Sequence, residues 1–262
     1  MPPLRLALMT TGLGGFVLLG SVLSGRAVPV GWQLAAFALH VTLGTFGVFF
    51  PAFGVWGDAA CRGRSGRRRI ALTFDDGPNS ETTRRVLALL AEHRMRATFF
   101  VLGNKVRKHP ELVREIVEAG HGVGLHGDEH DHFYVFRSPQ SVREDLERAA
   151  RALGEAAGVR ATLFRPPIGF VSHGVALGAE ACGMRLVGWS TRVLDGHPRA
   201  RPERVLERAR AALSDGAVLL LHDASEHDDR VPASLPVLPE LLQAIEQAGL
   251  EAVRVEELLT DA

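Results

Sequence analysis

Cysteine is nearly absent from this chain. Its 262 residues hold two, Cys61 and Cys182, too few for a disulfide framework or a cysteine-built metal site. Net charge is absent too: 30 basic residues balance 30 acidic ones, which argues against a general nucleic-acid binder. Lysine is scarce, with Lys105 and Lys108 alone among many arginines, a compositional bias that carries no function. No internal repeat is present, so stacked-repeat architectures are set aside. Hydrophobic residues make up 46% of the chain. That suits one ordinary domain plus an extra apolar segment.

The extra segment is N-terminal. Residues 6–23 carry no charge, and residues 32–50 are interrupted only by Gln33, His40, Thr42, Thr45 and two glycines. Each run is close to the ~20 residues that cross a bilayer. Ser24-Gly25-Arg26 and Pro29 punctuate the gap, and Trp32 and Trp56 stand where interfacial aromatics belong. The first run alone resembles a signal peptide with Arg5 at its basic end. With a second run directly behind it, the expectation is a membrane anchor of two transmembrane helices over residues 1–60. His40 is read as a helix-packing residue. Arg62, Arg64, Arg67, Arg68 and Arg69 make residues 61–69 an Arg-rich linker, facing solvent or anionic lipid headgroups. The positive-inside tendency would put that cluster in the cytoplasm. Cleavage of the first run would put everything after it outside. The sequence leaves the membrane face open, and the oligomeric state with it.

Residues 70–262 alternate. Short β-rich runs at 70–74, 98–102, 122–125, 162–164, 186–189, 218–221 and 252–255 are separated by helical stretches at 81–93, 111–119, 140–157, 174–182, 202–213 and 235–248. Pro110 and Pro202 fit helix starts; Gly120, Gly158 and Gly249 fit helix stops. Repeated strand–helix units predict an α/β fold with a parallel sheet. About seven units in one domain point to a distorted (β/α) barrel, complete or not; an open doubly wound sheet is the alternative.

Polar residues gather at the predicted carboxyl ends of these strands, where parallel α/β folds bind ligands. Thr73-Phe74-Asp75-Asp76-Gly77-Pro78 ends the first strand, and its two carboxylates allow one to hold a metal while the other moves a proton. Asp-Asp-Gly-Pro is also a good turn sequence. His126-Gly127-Asp128-Glu129-His130 follows the third strand; if helical, it presents both imidazoles on one face. With Asp76 they make two His and one Asp, the open ligand set of catalytic zinc. His121 and His132 are read as structural or supporting, and Asp128, Glu129 and Asp131 as a solvated acidic edge. Arg165 follows the fourth strand, Asp195 the fifth, and His222-Asp223 ends the sixth. His227-Asp228-Asp229 reads as a polar loop and Trp189 as a core residue.

Thr73–Pro78, His126–His130, the run from Phe164 to Gly169, Trp189 with Asp195, and Leu220–Asp223 resemble, in order, the motifs of the polysaccharide deacetylase family, carbohydrate esterase family 4 or the NodB-homology domain. The resemblance spans roughly residues 69–259. It implies a distorted (β/α) barrel, one divalent metal (zinc first, cobalt or manganese as alternatives) and removal of N-acetyl groups from GlcNAc-containing polymers of the envelope or exported. It implies that Asp76, His126 and His130 bind the metal and that Asp75 is the base, tuned by Arg165. His222 would be the acid, held cationic by Asp195. Ile168, Leu220 and Gly196 would line the substrate site, with the Ile168 N–H on the oxyanion. The implied partners are an N-acetylated glycan and membrane lipid. Departures from the family pattern are Gly127 where Ser or Thr is usual, Ile168 for Tyr and Gly196 for Trp. The last two remove aromatics around the acetate methyl and predict a wider pocket and a different acyl group or glycan. A deacylase of lipid-linked sugars at the cytoplasmic face, or a non-catalytic glycan-binding module, are the alternative functions.

Overall fold

The fold is taken from a computed structural model that describes residues 2–25, 28–64 and 66–260. Arg26 of the expected inter-helix break and Ser65 of the expected linker lie outside the described residues. Helices α1 (Pro3–Leu23) and α2 (Val30–Phe49) pack on each other as a hairpin. By length and composition both are apolar enough to cross a membrane, and only 6% of each apolar window is buried. Burial in a soluble core therefore does not explain them. His40 accepts or donates at Thr11 Oγ1 across the pair, 3.1 Å away, and so packs the helices together.

Strand β1 (Arg69–Asp75) is the centre of the α/β half. From Ile70 onward every residue is buried, as a strand covered on both faces requires. It pairs in parallel with β2 (Thr98–Val101) and β7 (Val218–His222). Beyond β2 come β3 (Gly122–Leu125), β4 (Leu163–Phe164) and β5 (Arg185–Leu186); beyond β7 comes β6 (Thr191–Arg192). The short β8 (Glu251–Ala252) pairs with the start of β1. Helices α3 (Thr82–Glu92), α5 (Pro110–Glu118), α6 (Pro139–Ala157), α7 (His173–Ala181), α8 (Pro202–Ala211) and α9 (Leu238–Gln247) fall where the periodicity predicts them. For α6 the local reasons are plain: the Ser138 hydroxyl accepts from the Ser141 N–H at 3.2 Å, and Gly158 ends the helix at φ 67°, a conformation that costs glycine nothing.

The sheet is a distorted half-barrel rather than a flat doubly wound sheet. Its two outer strands, β5 and β6, are consecutive in the chain. One kinked run, 187–190, crosses between them: Val187 N–H donates to Phe164 O at 2.9 Å and Ser190 N–H to Val218 O at 2.9 Å. The predicted strand at 186–189 is thus bent in its middle. Into the same gap comes the chain following the hairpin, with Ala60 bridged to Val187 and Arg62 to Ala217. The Arg-rich stretch is pinned there. Arg62 Nη2 donates to Ser214 Oγ at 2.7 Å, Asp215 accepts from the N–H groups of Gly66 and Arg69, and Arg68 donates to the carbonyls of Ala248 and Gly249.

Three elements differ from the predicted pattern. Helix α4 (Gly103–Lys108) and strand β6 are too short for a periodic signal. The strand predicted at 252–255 stops at Ala252 and turns into α10 (Val255–Thr260). There the Glu257 carboxylate accepts from the Arg254 N–H at 3.1 Å, a reach-back that starts a helix.

Gly188 sits at the kink with Cys61 Sγ only 2.4 Å from where a Cβ would be. Gly188→Ala is expected to destabilise the chain by about 1–3 kcal/mol through overpacking. Adding Cys61→Ala should restore part of that loss, read as the thermal midpoint of the detergent-solubilised protein.

Candidate active site

Asp75 and Asp76 are adjacent yet serve different neighbours. Asp76 adopts φ 70°, a left-handed conformation that non-glycine residues keep only where the surroundings enforce it. It turns the second carboxylate away from the first. Asp75 Oδ1 accepts from Arg165 Nη1 at 2.7 Å. Asp76 Oδ1 instead faces His126 Nε2 at 3.4 Å and His130 Nε2 at 3.7 Å.

His126 and His130 are not on a helix. Their loop follows β3 without helical structure, and it turns at Gly127, φ 94°. A Cβ there would lie 3.2 Å from Glu129 O and 3.3 Å from Asp145 Oδ2, so the loop path calls for the glycine that departs from the family pattern. The imidazoles therefore converge by loop geometry rather than by i, i+4 spacing. Asp128 is not part of a solvated edge either: it is buried, paired with Arg107 at 2.7 Å and Arg148 at 3.4 Å. Asp145 of α6 holds the loop from behind, accepting from Asp128 N–H and Tyr134 Oη, both at 3.0 Å, and from Arg137 at 2.8 Å.

Asp76, His126 and His130 form a candidate metal cluster, with one ligand atom of each within 4.8 Å of the others. Two observations fit a divalent cation there. Asp76 Oδ1 is buried without a hydrogen-bond partner, a costly state that an ion beside the carboxylate would relieve. His126 Nδ1 lies 2.8 Å from Arg165 O, so it carries the proton and leaves the Nε2 lone pair toward Asp76. Burial lowers the His126 pKa to about 3, keeping the ring neutral and able to ligate.

Beside the cluster stands Asp75 with Arg165, its Oδ2 4.0 Å from His126 Nε2. The Arg165 guanidinium is fully buried, bonded also to Thr73 Oγ1 and Gly188 O, each at 2.8 Å. It lies 4.2 Å over Phe100 and 5.8 Å from Trp189. Burial raises the Asp75 pKa, with Arg165 and His222 pulling the other way.

His222 stands at the end of β7, the register partner of Asp75 on β1. Asp195 grips it twice, Oδ1 at 2.8 Å from Nδ1 and Oδ2 accepting the His222 N–H at 2.8 Å. Burial works to lower the His222 pKa, but Asp195, with Asp76 and Asp75, outweighs it and lifts the value to about 10. His222 Nε2 lies 4.0 Å from Asp76 Oδ2.

Ile168, Leu220 and Gly196 line the same cleft of about 570 Å³. Ile168 holds φ 63°, a genuine strain for a β-branched residue. Gly196 abuts His222: a Cβ would lie 3.1 Å from Cε1. Trp189 also lines the cleft, packed on Gly169. His121 is remote and structural, accepting from the Ala97 N–H at 3.2 Å. His132 sits at the rim, 2.9 Å from Glu226. Asp228 is no free loop residue, being tied to Lys105 and Asn79. Glu226 and Asp145 were not legible in sequence. Glu226 faces His130 Nδ1 at 3.6 Å from a loop far along the chain. Burial pushes the Asp223 pKa up to about 7 against the opposing Thr83 hydrogen bond.

A parallel half-barrel with a two-His, one-Asp cluster at its strand ends defines a class built around a divalent-metal centre. Residues 62–187 match the family model described as polysaccharide deacetylase, and the chain belongs to that family. It is 34% identical over 221 residues to a chitooligosaccharide deacetylase of Bradyrhizobium sp. (strain ANU 289), covering 78% of this chain and 95% of that protein. It is 36% identical over 191 residues to the peptidoglycan-N-acetylglucosamine deacetylase PgdA of Listeria monocytogenes, covering 73% of this chain but only 39% of that protein. The peptidoglycan deacetylase PdaC of Bacillus subtilis superposes with a TM-score of 0.66 at 28% identity, covering 74% of this chain and 90% of that one.

Metal analysis of the purified chain is expected to find about one divalent ion per protein, lost in His126→Ala. The His222 ring should stay cationic until the pH approaches about 10. Because its folded pKa is raised above the ordinary 6.5, the pair stabilises fully below that value and loses its contribution as pH rises through about 10. In Asp195→Asn the titration, followed by NMR of the imidazole, should move to markedly lower pH.

Proposed function

We propose that this chain is a metal-dependent N-deacetylase of GlcNAc-containing polysaccharide, held at the cell membrane by α1 and α2. The observation that carries the reading is the meeting of two proton-handling pairs at the Asp76–His126–His130 cluster: Asp75, held by Arg165, lies 4.0 Å from His126 Nε2, and His222, held by Asp195, lies 4.0 Å from Asp76 Oδ2. The names of the Bradyrhizobium and Listeria relatives support the reaction and the sugar. In domain terms, residues 1–60 serve as the anchor, 61–69 as the connection and 70–262 as the catalytic domain.

Asp76, His126 and His130 would hold a divalent ion such as zinc, which when bound would supply Lewis-acid polarisation of the acetamide carbonyl and a more acidic water. The rest is the work of side chains. Asp75 takes the proton of the attacking water; burial raises its basicity, and the Arg165 bond holds its orientation. The N–H of Ile168 donates to the oxygen that becomes negative in the tetrahedral intermediate. His222, cationic and fixed by Asp195, gives its Nε2 proton to the departing nitrogen. The C–N bond breaks to release acetate and a free amine.

Acetate release from chitooligosaccharides by the metal-loaded chain tests this, run beside N-propionyl and N-butyryl analogues. Asp75→Asn should retain metal and lose about 10²–10⁴ in kcat. With Ile168 and Gly196 in place of bulky aromatics, a longer acyl group should be turned over at least as well as acetyl. Bound metal without release of any acid would favour a glycan-binding module instead.

A further inference from the structure

Beside the cleft, two aromatic side chains have no packing role. Phe133 and Phe136 are 72% and 81% exposed, with ring centroids 6.4 Å apart. They sit on the turn that carries the chain away from His130 and His132. Isolated exposed apolar residues are ordinary; a pair of unburied rings at the mouth of a site points to a surface that something covers.

What lies next to them identifies the cover. The segment 170–174 follows Ile168 and Gly169 of the cleft wall directly. Phe170 meets Phe49 of α2 edge-on at 4.8 Å, and Val171 N–H donates to Val48 O at 3.3 Å. His173 lies against Trp56, ring centroids 5.8 Å apart. Gly174 packs on the carbonyl of Arg137, which would be 2.4 Å from a Cβ there, immediately after Phe136. Five consecutive residues thus join the end of α2 to the turn bearing the exposed rings. At that end of α2, Phe49, Phe50 and Phe53 are themselves half exposed. A helix long and apolar enough to span a bilayer ends in aromatics where the headgroup layer would begin, and rings there are favoured because they tolerate both apolar and wet surroundings.

We propose that Phe133 and Phe136, continuous with Phe49, Phe50 and Phe53, form a footprint in the headgroup–acyl boundary of the bilayer, seating the mouth of the cleft against the lipid surface. This rests on the anchor reading given above. The substrate such a cleft reaches most readily is an N-acyl sugar borne on a lipid or held flat at the membrane, not a chain free in solution.

The full-length protein is reconstituted into vesicles of phosphatidylcholine and phosphatidylglycerol, with or without bromine on the acyl chains. The emission added by Phe136→Trp should be largely lost in the brominated vesicles. That added by Gln247→Trp should survive: this residue is the exposed last residue of α9, before the strand that pairs with the start of β1 at the far end of the sheet. Equal quenching of the two overturns the footprint. Phe133→Ser with Phe136→Ser should lower turnover of an N-acetylglucosaminyl lipid in the same vesicles several-fold and spare soluble chitooligosaccharides. Equal loss on both substrates would make the rings a sugar platform and overturn the proposal. If the wild type turns over neither, the deacetylase reading fails, while the quenching still decides the footprint.

Discussion

The site depends on one buried guanidinium. Removing a charge from water costs several kcal/mol unless paired and hydrogen-bonded, and Arg165 is fully buried. Its offset comes from Asp75, Thr73 and the carbonyls of Val187 and Gly188, with the ring of Phe100 beneath it. Those partners lie on β1 and on the kinked run across the half-barrel's gap, so one side chain ties the base to the element that bridges the sheet edges. The backbone of the same residue also serves the metal cluster. Its N–H continues the sheet to Leu125 O at 2.9 Å, and its carbonyl fixes the tautomer of His126. Base, ligand and sheet therefore share a single point of support.

Around that point the loops are held in conformations the backbone resists. Asp76, Ile168 and Leu194 all lie at positive φ, at the ends of three different strands and all on the cleft. Such residues persist only where the fold over-determines them. Here the constraint has a purpose that can be read: it separates two neighbouring carboxylates, shapes the cleft wall at Ile168, and delivers Asp195 to the backbone N–H and Nδ1 of His222. The support lies deeper. Asp145 braces the metal loop, and Lys105 binds Ser225 O and Asp228 Oδ1, each at 2.7 Å, to fix the loop after β7.

The hairpin is joined to this machinery rather than merely tethered. Arg5 reaches Asp58 at 2.8 Å and the carbonyls of Gly54 and Val55, so the start of α1 braces the segment leaving α2. That segment then enters the gap of the half-barrel at Ala60 and Arg62, and α2 itself touches the loop that forms the cleft wall. A shift of the hairpin would be felt at Ile168 through two residues.

The sequence by itself determined which polar residues follow the strands and so meet at one cleft, and where the main helices and strands run. Strand runs with both faces apolar, helix stops at glycine and motif residues placed just after strands are local signals, written over a few consecutive positions. It also carried the two apolar helices in their length and composition. Only the tertiary structure decided how the site is held. Asp145 and Glu226 touch the metal loop from positions distant in the chain, and Asp128 looked solvated because its arginine partners come from α4 and α6. The spacing of the histidine pair suits one helix face, but the pair lies on a loop and a glycine turn aligns it. The kinked run, the pinned arginines and the contact of α2 with the cleft wall likewise leave no periodic trace, because each depends on which surfaces meet once the sheet has curved.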